Sequence, residues 1–143
     1  MIKSIASLLL SSVLGCVLSA HAQNVQEYPS KPVKIIVSFT AGGTTDIIAR
    51  SVGLNLAEKL KQPFVIENKP GSGGNIGTEM AVRAPADGYT VTIASVGPIA
   101  INPTLFKDLR FDALVDLVPV VLIADVPNVL VVSPNLPVKN FAE

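Results

Sequence analysis

The residues best suited to chemistry lie in two glycine-rich segments. The first, Phe39 to Asp46, reads Phe-Thr-Ala-Gly-Gly-Thr-Thr-Asp. Gly42 and Gly43 allow close backbone approach, Thr44 and Thr45 offer hydroxyls, and a helix starting here would add N–H groups without helical partners. Those donors and the helix dipole point the same way, so the segment suits an anion such as a carboxylate or a phosphate. Asp46 opposes this if it faces the ligand. In the first helical turn it would stabilise the helix instead, leaving it a secondary ligand role. The plain alternative is a strand-to-helix turn with a threonine cap.

The second segment, Gly71-x-Gly73-x-x-x-Gly77, is a loosened version of a dinucleotide fingerprint. Pro70 stiffens its approach, the spacing departs from G-x-G-x-x-G, and the following strand ends in Ala94-Ser95 where an acidic ribose ligand belongs. Nucleotide binding is therefore not expected, and the glycines read as a flexible, tightly packing loop at the rim of a cleft. A further rim candidate is Ser95, Val96 and Gly97, with the Ser95 hydroxyl and backbone N–H groups as donors. A polar strand end explains it equally well.

These loops need elements to hold them. Val33 to Phe39 is mostly β-branched and apolar, the pattern of a buried strand. Ile47 to Leu60 predicts a helix with Ile48, Val52, Leu56 and Leu60 on one face and Thr44 or Thr45 as its cap. Phe64 to Glu67 is a second strand, Ile76 to Arg83 a second helix, and Tyr89 to Ser95 a third strand introduced by Asp87-Gly88. Strand and helix alternating with short connections predict an α/β fold, an open parallel sheet with helices on both faces. Beyond it, a short helix is expected around Ile99 to Phe106. Two more strands are expected at Val118 to Ala124 and Val129 to Val132, and a first helical turn at Leu136 to Glu143.

The 143 residues are 49% apolar and 15% charged, with no net charge. Charge-driven disorder is excluded, and the evenly spread charges leave no basic block for nucleic acid. Lys3, the apolar run Ile5 to Leu18 and Ser19-Ala20-His21-Ala22 read as a secretory signal cleaved after Ala22. A lipid anchor at Cys16, behind Val13-Leu14-Gly15, is the alternative. Removing residues 1–22 takes away the lone cysteine and the lone histidine. The remainder has no Cys or His nucleophile, no Ser-His-Asp triad, no Cys- or His-containing metal site and no disulfide. An exported enzyme is disfavoured accordingly, and no cofactor is expected.

Six motifs carry a resemblance. They are Tyr-Pro-x-Lys-Pro-Val-x-Ile-Ile-Val at 28–37, Phe-x-Ala-Gly-Gly-x-x-Asp-Ile-x-Ala-Arg at 39–50, Val-x-Glu-Asn-Lys-Pro-Gly-x-Gly-Gly-Asn-Ile-Gly at 65–77, Ala-Asp-Gly-Tyr-Thr at 86–90, Ile-Asn-Pro at 101–103 and Val-Pro-Asn-Val-Leu-Val-Val at 126–132. Together they resemble the Bug family, the extracytoplasmic solute-binding receptors of tripartite tricarboxylate transporters. Ser38 and Thr40 stand where the family usually has a proline or a small apolar residue.

The resemblance implies a two-lobed clamshell of the type II periplasmic-binding-protein kind. It closes on a tricarboxylate, a dicarboxylate, an acidic amino acid or an aromatic acid, and docks on a two-component membrane permease without altering the ligand. Its loop after strand one would hold a carboxylate through backbone and hydroxyl donors, partly by way of ordered water. Carried over, that loop is Phe39, Gly42, Gly43, Thr44, Thr45 and Asp46, with Ser95, Val96 and Gly97 on the same rim. The implied layout is a signal at 1–22, lobe one at 23–124 and the start of lobe two at 125–143. Family members are considerably longer, so a truncated receptor that binds poorly is expected. A non-binding fragment or interaction module is the alternative.

Overall fold

Three parallel strands form the sheet in a computed structural model that describes residues 27–127, 129–138 and 140–141. The signal segment, its cleavage site and Cys16 lie outside the described residues. Strand β1 (Val33–Val37) is central, flanked by β2 (Phe64–Asn68) and β3 (Thr90–Ile93) in the order β2-β1-β3. Both pairings are parallel, with Ile35 opposite Ile66 on one side and Val91 on the other. Val33, Ile35 and Val37 are buried, each contributing roughly 2 kcal/mol of apolar burial. Lys34 reaches back out of the sheet to Glu67 at 3.0 Å.

Helix α1 (Thr44–Leu60) packs on β1 and β2, and α2 (Asn75–Val82) on β1 and β3. The core on the α1 side joins Ile35, Val37 and Ala49, with Phe64, Ile66, Val91 and Ile93 around them. On the other side, Gly77 of α2 presses on Ser38. The expected α/β sheet with a helix on each face is therefore present.

Helix α1 differs in detail from the spacing argument. It starts three residues earlier, at Thr44, because Gly43 takes the N-cap conformation. Neither threonine hydroxyl caps it. The centre of its buried face is Asp46, Ala49 and Gly53, while Ile48, Val52 and Leu56 are half-buried and Leu60 is exposed. Gly53 explains the shift, since a Cβ there would already sit 3.1 Å from Ile66 Cδ1. The helix can approach the sheet most closely along that line.

The chain leaves β3 through a π-helical turn (Gly97–Ile101) into a short helix α3 (Asn102–Leu105). Phe111 and Ala113 are still buried, but beyond them most side chains are exposed. The strands expected at 118–124 and 129–132 do not form, and the described part of 136–143 is turn, not helix. Pro119 removes a ladder donor from the first run, and no described strand pairs with either run. Apolar, β-branched sequence without a partner ladder does not make a strand. No helix among the described residues is long and apolar enough to cross a membrane.

At the N-terminal end of the sheet, residues 28–31 form a strap over the Asp87–Tyr89 turn. Tyr28 donates its hydroxyl to Gly88 O at 2.6 Å, and Ser30 N–H donates to the Tyr89 hydroxyl at 3.0 Å. Lys31 pairs with Asp87 at 3.2 Å and lies 4.2 Å from the Tyr89 ring centre. Two motifs far apart in sequence thus make one local unit.

Candidate functional site

Parallel strands all end on the same side, so the segments after β1, β2 and β3 gather at one edge of the sheet. With the order β2-β1-β3, the chain's direction of travel reverses between β1 and β3. That is the switch point where open α/β sheets leave a crevice for ligands. The segments that flank it are Phe39–Asp46 (loop one) and Ser95–Gly97 (loop three), both singled out in the sequence. Loop two, residues 69–74, packs against both at Gly74.

Loop one rises from Ser38, turns through Gly42 at φ 85° and delivers Gly43 as the N-cap of α1. The left-handed conformation falls on Gly42, whereas Gly43 is extended at φ −77° and ψ 169°. The N–H groups of Gly43, Thr44 and Thr45 belong to the helix start, where no helical carbonyl can reach them. Thr44 is exposed and Thr45 half-buried. The first turn therefore offers a cluster of neutral donors with the positive end of the helix dipole behind them.

Asp46 faces the other way. The residue is 2% exposed, and its oxygens serve the loop itself. Oδ2 accepts from Gly42 N–H at 2.8 Å and from Arg50 Nε at 2.9 Å, and Oδ1 accepts from Asn68 Nδ2 at 2.9 Å. The second hydrogen of that Asn68 amide goes to Phe39 O at 3.1 Å, and Asn68 Oδ1 accepts from Arg50 Nη2 at 3.1 Å. The Arg50 bond above all, then the Gly42 N–H and the Asn68 amide, hold the Asp46 carboxyl well below the usual carboxylate range. Arg50 is committed to this ring, so the loop surface carries donors without a dedicated cation.

The three loops meet at Gly74. A Cβ there would lie 2.7 Å from Pro98 Cγ in the turn after loop three and 3.1 Å from Phe39 Cζ in loop one, at φ 94°. Only glycine fits. Asn102 of α3 adds a second tie, donating to Gly73 O at 3.0 Å and to Asn75 Oδ1 at 2.6 Å. Ser95 and Gly97 are half-buried beside this junction, and Val96 is 67% exposed at the rim. Loop two thus has the tight-packing role read from its glycines.

Several residues that build the site escaped the sequence reading. Arg50, Asn68, Asn75 and Asn102 sat inside the quoted motifs without a role, although small amides at element boundaries are a signal for loop ties. Ser38 compensates for its departure from the family pattern, since its buried hydroxyl pairs with Thr78 Oγ1 at 3.2 Å. An open depression of about 310 Å³ lies elsewhere, lined by Ile76, Glu79, Phe106 and Phe111 among others. No residue of loop one lines it. Among the described residues no group of three or more His, Cys, Asp or Glu could hold a metal ion.

A parallel α/β sheet with its loops collected at a switch point is an architecture of the periplasmic-binding-protein kind. The chain belongs to the tripartite tricarboxylate transporter family of receptors, whose model matches residues 48–143. It is 43% identical over 132 residues to protein BugT of Bordetella pertussis, a match covering 89% of this chain and 40% of that one. Among solved structures it is similar to a protein of R. palustris with adipate, at 41% identity and a TM-score of 0.75 over 81% of this chain and 39% of the other. It is also similar to MatC from Rhodopseudomonas palustris with bound malate, at 33% identity and a TM-score of 0.64 over 67% and 33% of the two chains. The chain spans about 40% of the length of the curated relatives it matches.

Proposed function

We propose that this chain belongs to an extracytoplasmic receptor that captures a small organic acid for a tripartite tricarboxylate transporter. Loop one holds a carboxylate of that acid through the N–H groups of Gly43, Thr44 and Thr45 and the two threonine hydroxyls. Phe39, Gly42 and the rim residues Ser95, Val96 and Gly97 shape the space around it. The observation that carries this reading is the inward turn of Asp46. The only acid in the loop is 2% exposed and engaged by Gly42, Arg50 and Asn68, which leaves donors on the outer face. The relatives solved with adipate and malate support a di-acid.

In this proposal the acid passes unchanged to a two-component membrane permease, and the chain is not an enzyme. The receptor works in the periplasm after cleavage behind Ala22, with lipidation at Cys16 as the alternative. Lobe one runs to Ala124 and lobe two begins at Asp125.

Titration of the isotope-labelled chain with malate and with adipate, followed by backbone amide shifts, tests the site. The loop-one donors touch an acid from one side, so the Kd they support is about 1 mM, equivalent to roughly −4 kcal/mol. Saturable shifts are expected at Gly43, Thr44 and Thr45. Shifts confined to the depression beside Phe106, or none at all, would refute the loop-one assignment.

A further inference from the structure

We infer that Asp46 is a positioning residue for the anion site, acting through Gly42 as one member of a donor–acceptor ring with Asn68 and Arg50. The inference rests on loop one being the anion site, and it assigns Asp46 a part that excludes contact with the ligand.

The ring has a definite sense. Arg50 can only donate, and it donates from Nε to Asp46 Oδ2 and from Nη2 to Asn68 Oδ1. A carboxylate can only accept, and Asp46 accepts from Gly42, Arg50 and Asn68. Asn68 has one face of each kind. Its oxygen meets Arg50, and its amide hydrogens go to Asp46 Oδ1 and Phe39 O. Every contact therefore pairs a donor with an acceptor, with one carboxylate and one amide facing Arg50. Its two outputs are Gly42 N–H and Phe39 O, which lie at the two ends of the turn that leads into the α1 donors. Asp46 and Asn68 thereby set where Gly43, Thr44 and Thr45 present their N–H groups.

Replacing Asp46 by Asn breaks the sense of the ring. With the new amide's oxygen kept toward Gly42 and Arg50, its nitrogen faces the Asn68 nitrogen. Flipping Asn68 to relieve that clash turns donors toward Arg50 and takes the donor from Phe39 O. Adding Asn68→Asp restores the match. The carboxylate at 68 then accepts from Arg50 and from the amide at 46, whose oxygen still serves Gly42. The Phe39 bond is lost and a carboxylate oxygen then faces Phe39 O, so the rescue is expected at Gly42 and not at Phe39.

The test compares the unaltered chain, D46N, and the D46N/N68D double variant by residue-resolved amide exchange without ligand and by titration with malate and adipate. In D46N the Gly42 amide should exchange at least about tenfold faster, with the amides from Ile48 to Leu56 unchanged. Affinity for either acid should fall about tenfold, and the double variant should recover most of the Gly42 protection. Unchanged Gly42 exchange, acceleration spread over the whole sheet, absence of rescue, or equal or tighter acid binding by D46N would each overturn the assignment. If the unaltered chain binds neither acid, the functional reading fails for this chain, while Gly42 exchange and its rescue still decide the ring.

Discussion

Gly77 leaves no room for a side chain against Ser38. A Cβ on Gly77 would stand 2.7 Å from Ser38 Cα and equally close to Lys69 O. Helix α2 thus sits directly on the backbone where β1 gives way to loop one, and the depth of that seat fixes where the loop begins.

Gly77→Ala should accordingly lower stability by about 1–3 kcal/mol, the usual cost of overpacking where backbone cannot yield. Urea unfolding would read this as a lower midpoint at constant slope. A midpoint equal to that of the unaltered chain would mean that α2 can slide away freely.

The two adjacent glycines of loop one should part company. Gly42 is left-handed at φ 85°, so Gly42→Val should cost about 1–3 kcal/mol in backbone strain. Gly43 is extended, and its Cβ would meet only Thr40 O at an ordinary 3.5 Å. Gly43→Ala should keep stability within about 0.5 kcal/mol, so any loss of malate binding in that variant reports blocked ligand approach. Equal melting temperatures for the two variants would contradict this.

Asn102→Ala removes the donor shared by Gly73 O and Asn75 Oδ1. Asn102 is 5% exposed, so leaving those acceptors unpaired should cost about 1–3 kcal/mol. Exchange should rise first at Gly73 to Asn75, ahead of β1. Uniform loosening of all three strands would show that α3 supports the whole sheet and not loop two alone.

Acid should destabilise the chain through its paired carboxylates. Asp46 is held low chiefly by Arg50, Glu67 by Lys34, and Asp87 by the Tyr89 N–H and then Lys31. A carboxyl whose folded pKa is depressed adds stability above its unfolded value of about 4 and loses it as pH falls toward the folded value. The urea midpoint should therefore hold steady between about pH 7 and 5 and drop below about pH 4. Asp46→Asn should flatten that drop, and an unchanged acid limb would sink the attribution to Asp46.

The strands were legible because Val33 to Val37, Phe64 to Asn68 and Thr90 to Ile93 are short β-branched or apolar runs bounded by Pro, Gly and Lys turns. Loop one was legible as a donor cluster for the same local reason, since glycines next to threonines before an apolar helix need no tertiary information. What could not be read was direction. Whether Asp46 faces ligand or protein depends on Asn68, which arrives from the next strand, and Leu60 lost its place because Gly53 sets the line of closest approach. The runs at Val118 and Val129 failed for a related reason, because their sequence specifies strand character but not a neighbour.

The strap that joins Tyr28, Ser30 and Lys31 to the turn before β3 lies at the opposite pole of the sheet from the three loops. A dye, bead or surface linker attached upstream of Tyr28 would therefore leave from the far side, with the three loops turned toward bulk solution. The described chain has a handle and a set of loops at opposite ends of one sheet, which makes the strap side the natural point of immobilisation.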